Sequence, residues 1–326
     1  MVPLSPVHHL EILKKRPGPL LARVGTLMAS VLYNIGTIAV YLFILTSMFL
    51  TGLLVSFGDL LAPIKNRRLL SLSLFANFVA VPLLALALIY LIPAMRENPE
   101  LSAGLFLIAV AAGAPSTAKV AQFTGGKMAE AISMTIILTI VTVFLMPLLL
   151  PFILEGAQGK MGSVLANLVV MVLIPIVLGM YVKTRSEPLA ARLRPIMDLV
   201  SNISVAVIFL TFGLIFLSRI REIAGSPSGS IAIAVSIIFT LGALAIAYLL
   251  GGLAKESRQE LAFGAGFRNA TAALVVVFAS FSNIQNDVLL MVLMVTIFAI
   301  IITTVIVGII FKKRMDAEKK AKGSGA

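Results

Sequence analysis

Between residues 32 and 311 the chain is a near-continuous series of apolar runs, each about twenty residues long and separated by short polar connections. Wound as an α-helix at ~1.5 Å per residue, a run of that length spans the ~30 Å hydrocarbon core of a bilayer. Nine runs can be drawn, at about 32–57, 69–93, 101–124, 128–153, 163–183, 196–218, 230–253, 259–281 and 287–311. Connections such as Lys65-Asn66-Arg67-Arg68 and Ser226-Pro227-Ser228-Gly229 leave no room for an inserted soluble domain. Charged residues make up 12% of the chain, against roughly 25% in soluble domains. The expected fold is an all-α polytopic membrane protein of about nine transmembrane helices.

Several function classes drop out on composition. The net charge of +12 would suggest nucleic acid in a soluble protein, but here Lys and Arg collect in loops beside the membrane, so no nucleic-acid partner is expected. The chain has no cysteine and only two histidines, His8 and His9. A thiolate or His-ligated metal site in the core is therefore not expected, nor is any cofactor. No Gly-x-x-x-x-Gly-Lys-[Ser/Thr] phosphate loop occurs, which argues against a primary pump. No catalytic residues are assigned, and the chain reads as a non-enzyme. Residues 1–31, basic and broken by Pro17-Gly18-Pro19, read as an interfacial segment, and 312–326 as a cytoplasmic tail.

Placing the connections alternately on two sides puts eight basic residues on the N-terminal side and sixteen on the other. By the positive-inside rule the N-terminus lies outside and the C-terminus in the cytoplasm, with the plasma (inner) membrane as the expected location. That sorting accounts for 24 of the 26 Lys and Arg. The two left over are Lys119 and Arg268, each inside an apolar run.

Both cations sit in breaks of the hydrophobic pattern. The first is Gly113-Ala114-Pro115-Ser116-Thr117-Ala118-Lys119 and the second Gly264-Ala265-Gly266-Phe267-Arg268-Asn269-Ala270-Thr271. A helix interrupted inside the bilayer exposes backbone groups that lipid cannot satisfy, so such breaks survive where protein, water, ions or substrate satisfy them. Pro115 removes a donor, and Gly113, Gly264 and Gly266 permit turns or close approach. Ser116 and Thr117 open the second half-helix, whose N–H groups favour an anion, and Asn269 and Thr271 play a similar polar part. The plainer alternative is that these small and hydroxyl residues only let helices pack closely. A charge at mid-bilayer costs at least ~2.5–3.5 kcal/mol and usually marks function. The candidate substrate-binding residues are thus Ser116, Thr117, Lys119, Arg268, Asn269 and Thr271.

An internal echo adds topology. Phe49-Leu50-Thr51-Gly52-Leu53-Leu54 resembles Phe209-Leu210-Thr211-Phe212-Gly213-Leu214, and each break falls two runs after its copy. Repeats of an odd number of spans are inverted in the membrane. The expected arrangement is a first repeat of four helices over 32–153, missing its opening helix, and a second of five over 163–311. Inverted repeats with paired discontinuous helices point to alternating access around a midplane site.

The sequence resembles the bile acid:sodium symporter family over roughly residues 32–312. Its anchors are Phe49-Leu50-Thr51-Gly52-Leu53, Asn77 before Pro82, Gly113-Ala114-Pro115, Pro175-Ile176-Val177-Leu178-Gly179 and Gly266-Phe267-Arg268-Asn269. The resemblance implies two crossed, discontinuous helices in a core domain of about 69–153 and 230–311. A panel domain of about 32–57 and 163–218 would move against it, carrying organic anions with sodium. It also implies where sodium ligands should fall: Asn77, Ala118, Lys119, Thr135, Thr139, Gly264 and Arg268. In relatives the positions of Ala118 and Lys119 hold Ser-Asn, that of Gly264 a Glu, and that of Arg268 a Gln. The carboxylate is gone and two fixed cations have arrived.

A sodium ion ~4 Å from a fixed cation meets about 4 kcal/mol of repulsion at an effective dielectric near 20, roughly three decades of affinity. The expectation is a monomeric secondary transporter for a small organic anion, sodium-independent, with Lys119 and Arg268 in the electrostatic role of Na+. The alternatives are sodium or proton coupling, an anion exporter, and a non-transporting membrane sensor.

Overall fold

The computed structural model describes residues 19–114, 128–152, 161–225, 227–252, 255–280, 296–300, 302–303, 305–310 and 313, and every regular element among them is helical. Helix α1 runs over Pro19–Leu53, α2 over Arg67–Leu91, α3 over Pro99–Val110 and α4 over Met128–Leu149. Then come α5 over Met161–Arg185, α6 over Glu187–Gly225, α7 over Pro227–Leu250, α8 over Lys255–Gly266 and α9 over Ala270–Val275. Seven stretches are long and apolar enough to cross a membrane, with α8 and α9 counted together. The third and ninth expected spans appear as shorter apolar helices, Pro99–Val110 and Thr296–Ile310. Their expected remainders, about 115–124 and 287–295, lie outside the described residues. At the other end, α1 begins at Pro19 and passes residue 31 without a break, so the expected boundary there is not a break in the backbone.

Local chemistry explains the irregularities. Asn66 caps α2, its Oδ1 accepting the Leu69 N–H at 3.1 Å, which satisfies one of the first-turn donors. Inside α2 the turn Ala76–Ala80 widens to a π-helix just before Val81-Pro82. The turn Val169–Leu173 in α5 does the same before Ile174-Pro175. A proline offers no N–H to the carbonyl four residues back and its ring pushes against it; a wide turn absorbs both.

Burial ranks the helices. The window Arg258–Phe278 is 83% buried, against 28% for the windows in α5 and α6, so the α8–α9 pair is central and α5 and α6 are peripheral. Every residue of α3 from Leu101 to Val110 is buried as well. On α6, Leu199, Ile203, Leu210 and Leu214 are exposed, a helical-period stripe suited to lipid.

The outer helices pack closely through glycines. α1 packs chiefly on α6 and α5. A Cβ on Gly52 would lie 2.9 Å from the Met180 N, and one on Gly179 2.8 Å from the Leu53 N. Small residues of this kind let membrane helices touch backbone to backbone. The α1–α2 connection ties both sides of the molecule together. Phe57 N–H donates to Thr184 Oγ1 at 3.2 Å, and Ser133 Oγ donates to the Asp59 carbonyl at 3.0 Å.

Candidate functional site

Helix α3 ends at Val110 in the middle of the protein, leaving its last carbonyls without intrahelical partners. Ala111–Ala114 is non-helical, and Gly113 sits at φ +81°. A Cβ there would lie 2.6 Å from both the Thr135 carbonyl and the Thr139 N, so only glycine fits. Opposite, α8 ends at Gly266 and α9 starts at Ala270. Asn269 caps α9 with its Oδ1, which accepts the Ala272 N–H at 3.1 Å. The two breaks touch directly, through the Asn269 N–H donating to the Ala111 carbonyl at 2.8 Å.

Arg268 fills the crossing. Only 6% of it is exposed, and its whole fork is engaged. Nε donates to the Ile108 carbonyl at 3.1 Å and an Nη to the Ala109 carbonyl. The other Nη donates to Asn77 Oδ1 at 2.6 Å and to the Ala265 carbonyl at 3.4 Å. Two of these acceptors are carbonyls of the last turn of α3, the negative end of its dipole, where a cation is stabilising; the Ile108 carbonyl also accepts the Ala111 N–H at 3.1 Å. Asn77 is fully buried; its amide nitrogen donates to the Ser73 carbonyl at 3.0 Å, leaving the oxygen for the arginine. The wide turn that begins at Ala76 belongs to the same stretch.

Helix α4 holds the unwound strand of the first break. Thr142 accepts the Ala112 N–H at 3.0 Å and donates to the Ala112 carbonyl at 3.1 Å. Thr139 has its hydroxyl 3.0 Å from the Gly113 carbonyl and 2.8 Å from the Thr135 carbonyl, and it accepts a long bond of 3.5 Å from the Asn269 amide. Thr271 meets Ser47 of α1 hydroxyl to hydroxyl at 3.5 Å.

Of the positions singled out in the sequence, the crossing brings together Asn77, Thr139, Arg268 and Asn269. Thr271 faces α1. Thr135, which donates to the Ala131 carbonyl at 2.9 Å, and Gly264 line a small cavity beside the crossing. Ser116, Thr117, Ala118 and Lys119 lie outside the described residues. Sequence reasoning missed Thr142, although its spacing from Thr135 and Thr139 (i, i+4, i+7) places all three on one face. It also missed the backbone acceptors of Arg268, which no side-chain motif announces. Among the described residues no group of His, Cys, Asp and Glu gathers in a way that could hold a metal ion.

A helix end meeting an interrupted helix inside an apolar bundle is a setting in which transporters build their sites. An uncharacterized protein of Pseudomonas aeruginosa is 30% identical over 169 residues, and the chain spans about half the length of that curated relative. The family model described as the sodium bile acid symporter family matches residues 39–226. That stretch is more than half of the chain; it includes the first break and stops before the second. With its apolar helices and this match, the chain is an integral membrane protein that belongs to the sodium bile acid symporter family.

Proposed function

We propose that the protein is a secondary active transporter that moves a small organic anion by alternating access without sodium. One observation carries this reading: the Arg268 guanidinium is bonded to two terminal carbonyls of α3 and to the Asn77 amide oxygen. Carbonyl and amide oxygens converging on one point are what a hard cation such as sodium takes. Here they converge on a cation that the chain itself supplies. By the family resemblance, Gly264 stands at the position of the carboxylate that would offset a second positive charge. A sodium ion brought within ~4 Å of the guanidinium would meet repulsion of about 4 kcal/mol at an effective dielectric near 20.

In this reading Arg268 holds the two breaks in register and gives the core a permanent positive charge that attracts an anionic substrate. All three of its nitrogens bond the protein, so in this reading most of the direct anion contacts fall to other groups of the breaks: Ser116, Thr117, Lys119, Asn269 and Thr271. The elements around α3, α4, α8 and α9 form the core, and α1, α5 and α6 the panel that moves against it. The protein sits in the plasma membrane with its N-terminus outside and its C-terminus in the cytoplasm.

The test is flux in proteoliposomes. Organic anions are first ranked by the thermal stabilisation they give the purified protein, and the best is then used as the transported probe. Uptake is expected to be the same in sodium and in choline buffer. A steep requirement for a sodium gradient would overturn the reading.

A further inference from the structure

Two guanidinium groups meet at the turn from α7 to α8. Gly252 has φ +73° there, a left-handed conformation that glycine adopts without strain. A Cβ on its neighbour Gly251 would lie 2.8 Å from the Arg258 N, so the glycine pair lets α8 start directly against the end of α7. Arg258 folds back over this turn. Its Nε donates to the Gly252 carbonyl, and its guanidinium carbon lies 5.4 Å from the centroid of the Tyr248 ring. Arg68, in the first turn of α2, reaches the same residue: its Nη2 is 3.2 Å from where a Cβ on Gly252 would stand. Among the described residues, the Nη groups of Arg258 and all the nitrogens of Arg68 make no hydrogen bond, and neither side chain is paired with a carboxylate. Glu260, two residues on, lines the small cavity toward Ser73 and Thr135, on another side of α8 from Arg258.

The residue after Arg258 adds a buried donor. Gln259 is 4% exposed, and among the described residues its Nε2 has no hydrogen-bond partner. It lies three and four residues before Ala262 and Phe263, on their face of α8, and Tyr248 packs against that face. Helical Cβ atoms tilt toward the N-terminus, so the amide leans toward the turn and its two arginines. A buried donor is seldom left unmet. A charged acceptor bound at the turn would meet it.

We propose that this turn binds the phosphate of an anionic phospholipid headgroup, with Arg68, Arg258 and Gln259 as its donors. Phosphate oxygens accept from guanidinium forks in pairs, and the single charge of a phosphodiester fits between two cations. The turn stands at headgroup depth, because the membrane-spanning stretches beside it open at Arg67 and Arg258. An acyl chain has a path as well. On α7, Leu241, Ala245 and Leu249 are exposed and follow at i, i+4 and i+8, a stripe that ends beside Tyr248 and the turn. A phosphate free in water gains nothing from that stripe, and this makes the lipid the better occupant. Lys65 and Arg67 are exposed nearby and add diffuse attraction to an anionic surface. The side chains of Lys255 and Glu256 lie outside the described residues.

Melting curves of the purified protein in detergent, titrated with short-chain phosphatidylglycerol, test the site. Phosphatidylglycerol is expected to raise the melting temperature, whereas phosphatidylcholine of the same chain length and inorganic phosphate are not. Arg68 is bonded to none of the described residues, so Arg68→Gln is expected to fold like the wild type and to bind the lipid about tenfold more weakly. Arg258→Gln and Gln259→Leu are expected to weaken binding too. Lys65→Gln removes the same charge from the same end and is expected to leave the affinity unchanged. An equal response to phosphatidylcholine overturns the proposal, and an equal response to inorganic phosphate overturns the lipid as occupant. A loss in Lys65→Gln as large as that in Arg68→Gln overturns the site, since any basic surface would then account for the attraction.

Discussion

Arg268 and Asn77, 191 residues apart in the chain, are joined by a 2.6 Å hydrogen bond from the guanidinium to the amide oxygen at the point where α3 ends. The bond ties α2 to the break between α8 and α9, and the same guanidinium holds the end of α3. Three segments distant in sequence are therefore fixed by one side chain.

Arg268→Ala is expected to lower the thermal stability of the purified protein severely. The Ala109 carbonyl and Asn77 Oδ1 would be left buried without this donor, at about 1–3 kcal/mol for each unsatisfied group, while the Ile108 carbonyl keeps the Ala111 N–H. Arg268→Lys keeps the charge but replaces a planar fork by a single ammonium, which cannot reach acceptors in the same directions. It is expected to recover only a minor part of the loss. Melting curves of the three proteins in one detergent decide it, and a lysine variant as stable as the wild type would show that charge alone matters.

Sodium sensitivity can be put back. The double variant Gly264→Glu, Arg268→Gln restores the carboxylate and amide that family resemblance places at these positions. It is expected to gain a sodium-dependent rise in melting temperature that potassium does not give, while the wild type gains none. At a sodium concentration one hundred times the dissociation constant the stabilisation is about 2.7 kcal/mol. Equal sodium stabilisation of both proteins would sink the idea that Arg268 stands in for the ion.

Much of this was legible beforehand, for physical reasons. Apolar runs of membrane-spanning length leave the chain little choice but helices, and a basic residue stranded in such a run must find a partner, which drew attention to Arg268 before any coordinates. The partner was not legible. Backbone carbonyls carry no side-chain signature, so the sequence left Arg268 both a substrate ligand and a sodium substitute, whereas its bonds to Ile108, Ala109 and Ala265 direct it to the protein. Thr142 was overlooked for the same reason: its two bonds go to the backbone of Ala112. Glu260 is read from the sequence only as a residue near a span end, because the small cavity it lines with Ser73 and Thr135 exists only once three helices are packed.

Two glycines in the candidate site should respond in opposite ways to the same methyl group. Gly113→Ala forces a side chain into a left-handed backbone conformation, which costs roughly 1–2 kcal/mol. It also drives the methyl into the Thr135 carbonyl and the Thr139 N, 2.6 Å away. Little folded protein is expected in size-exclusion profiles. Gly264→Ala meets nothing within 4 Å among the described residues and is expected to fold with unchanged or slightly higher stability, since alanine favours helix by about 1 kcal/mol over glycine. Similar behaviour of the two variants would contradict the geometry of the crossing.

Thr142 is the residue whose removal best isolates the break from the charge that lies beside it. Thr142 and Ala112 are both fully buried, so neither can turn to water if the other is lost. Thr142→Val preserves shape and removes the hydroxyl, leaving the Ala112 N–H with the Val110 carbonyl alone at 3.2 Å and depriving the Ala112 carbonyl of the Thr142 donor. A loss of about 1–3 kcal/mol is expected, seen as a lower melting temperature with Arg268 untouched. Thr142→Ser returns the hydroxyl on a smaller side chain and is expected to restore most of it. Were valine as stable as threonine, the unwound segment Ala111–Ala114 would be held by the Thr139–Gly113 and Asn269–Ala111 bonds, and Thr142 would be a bystander in the site.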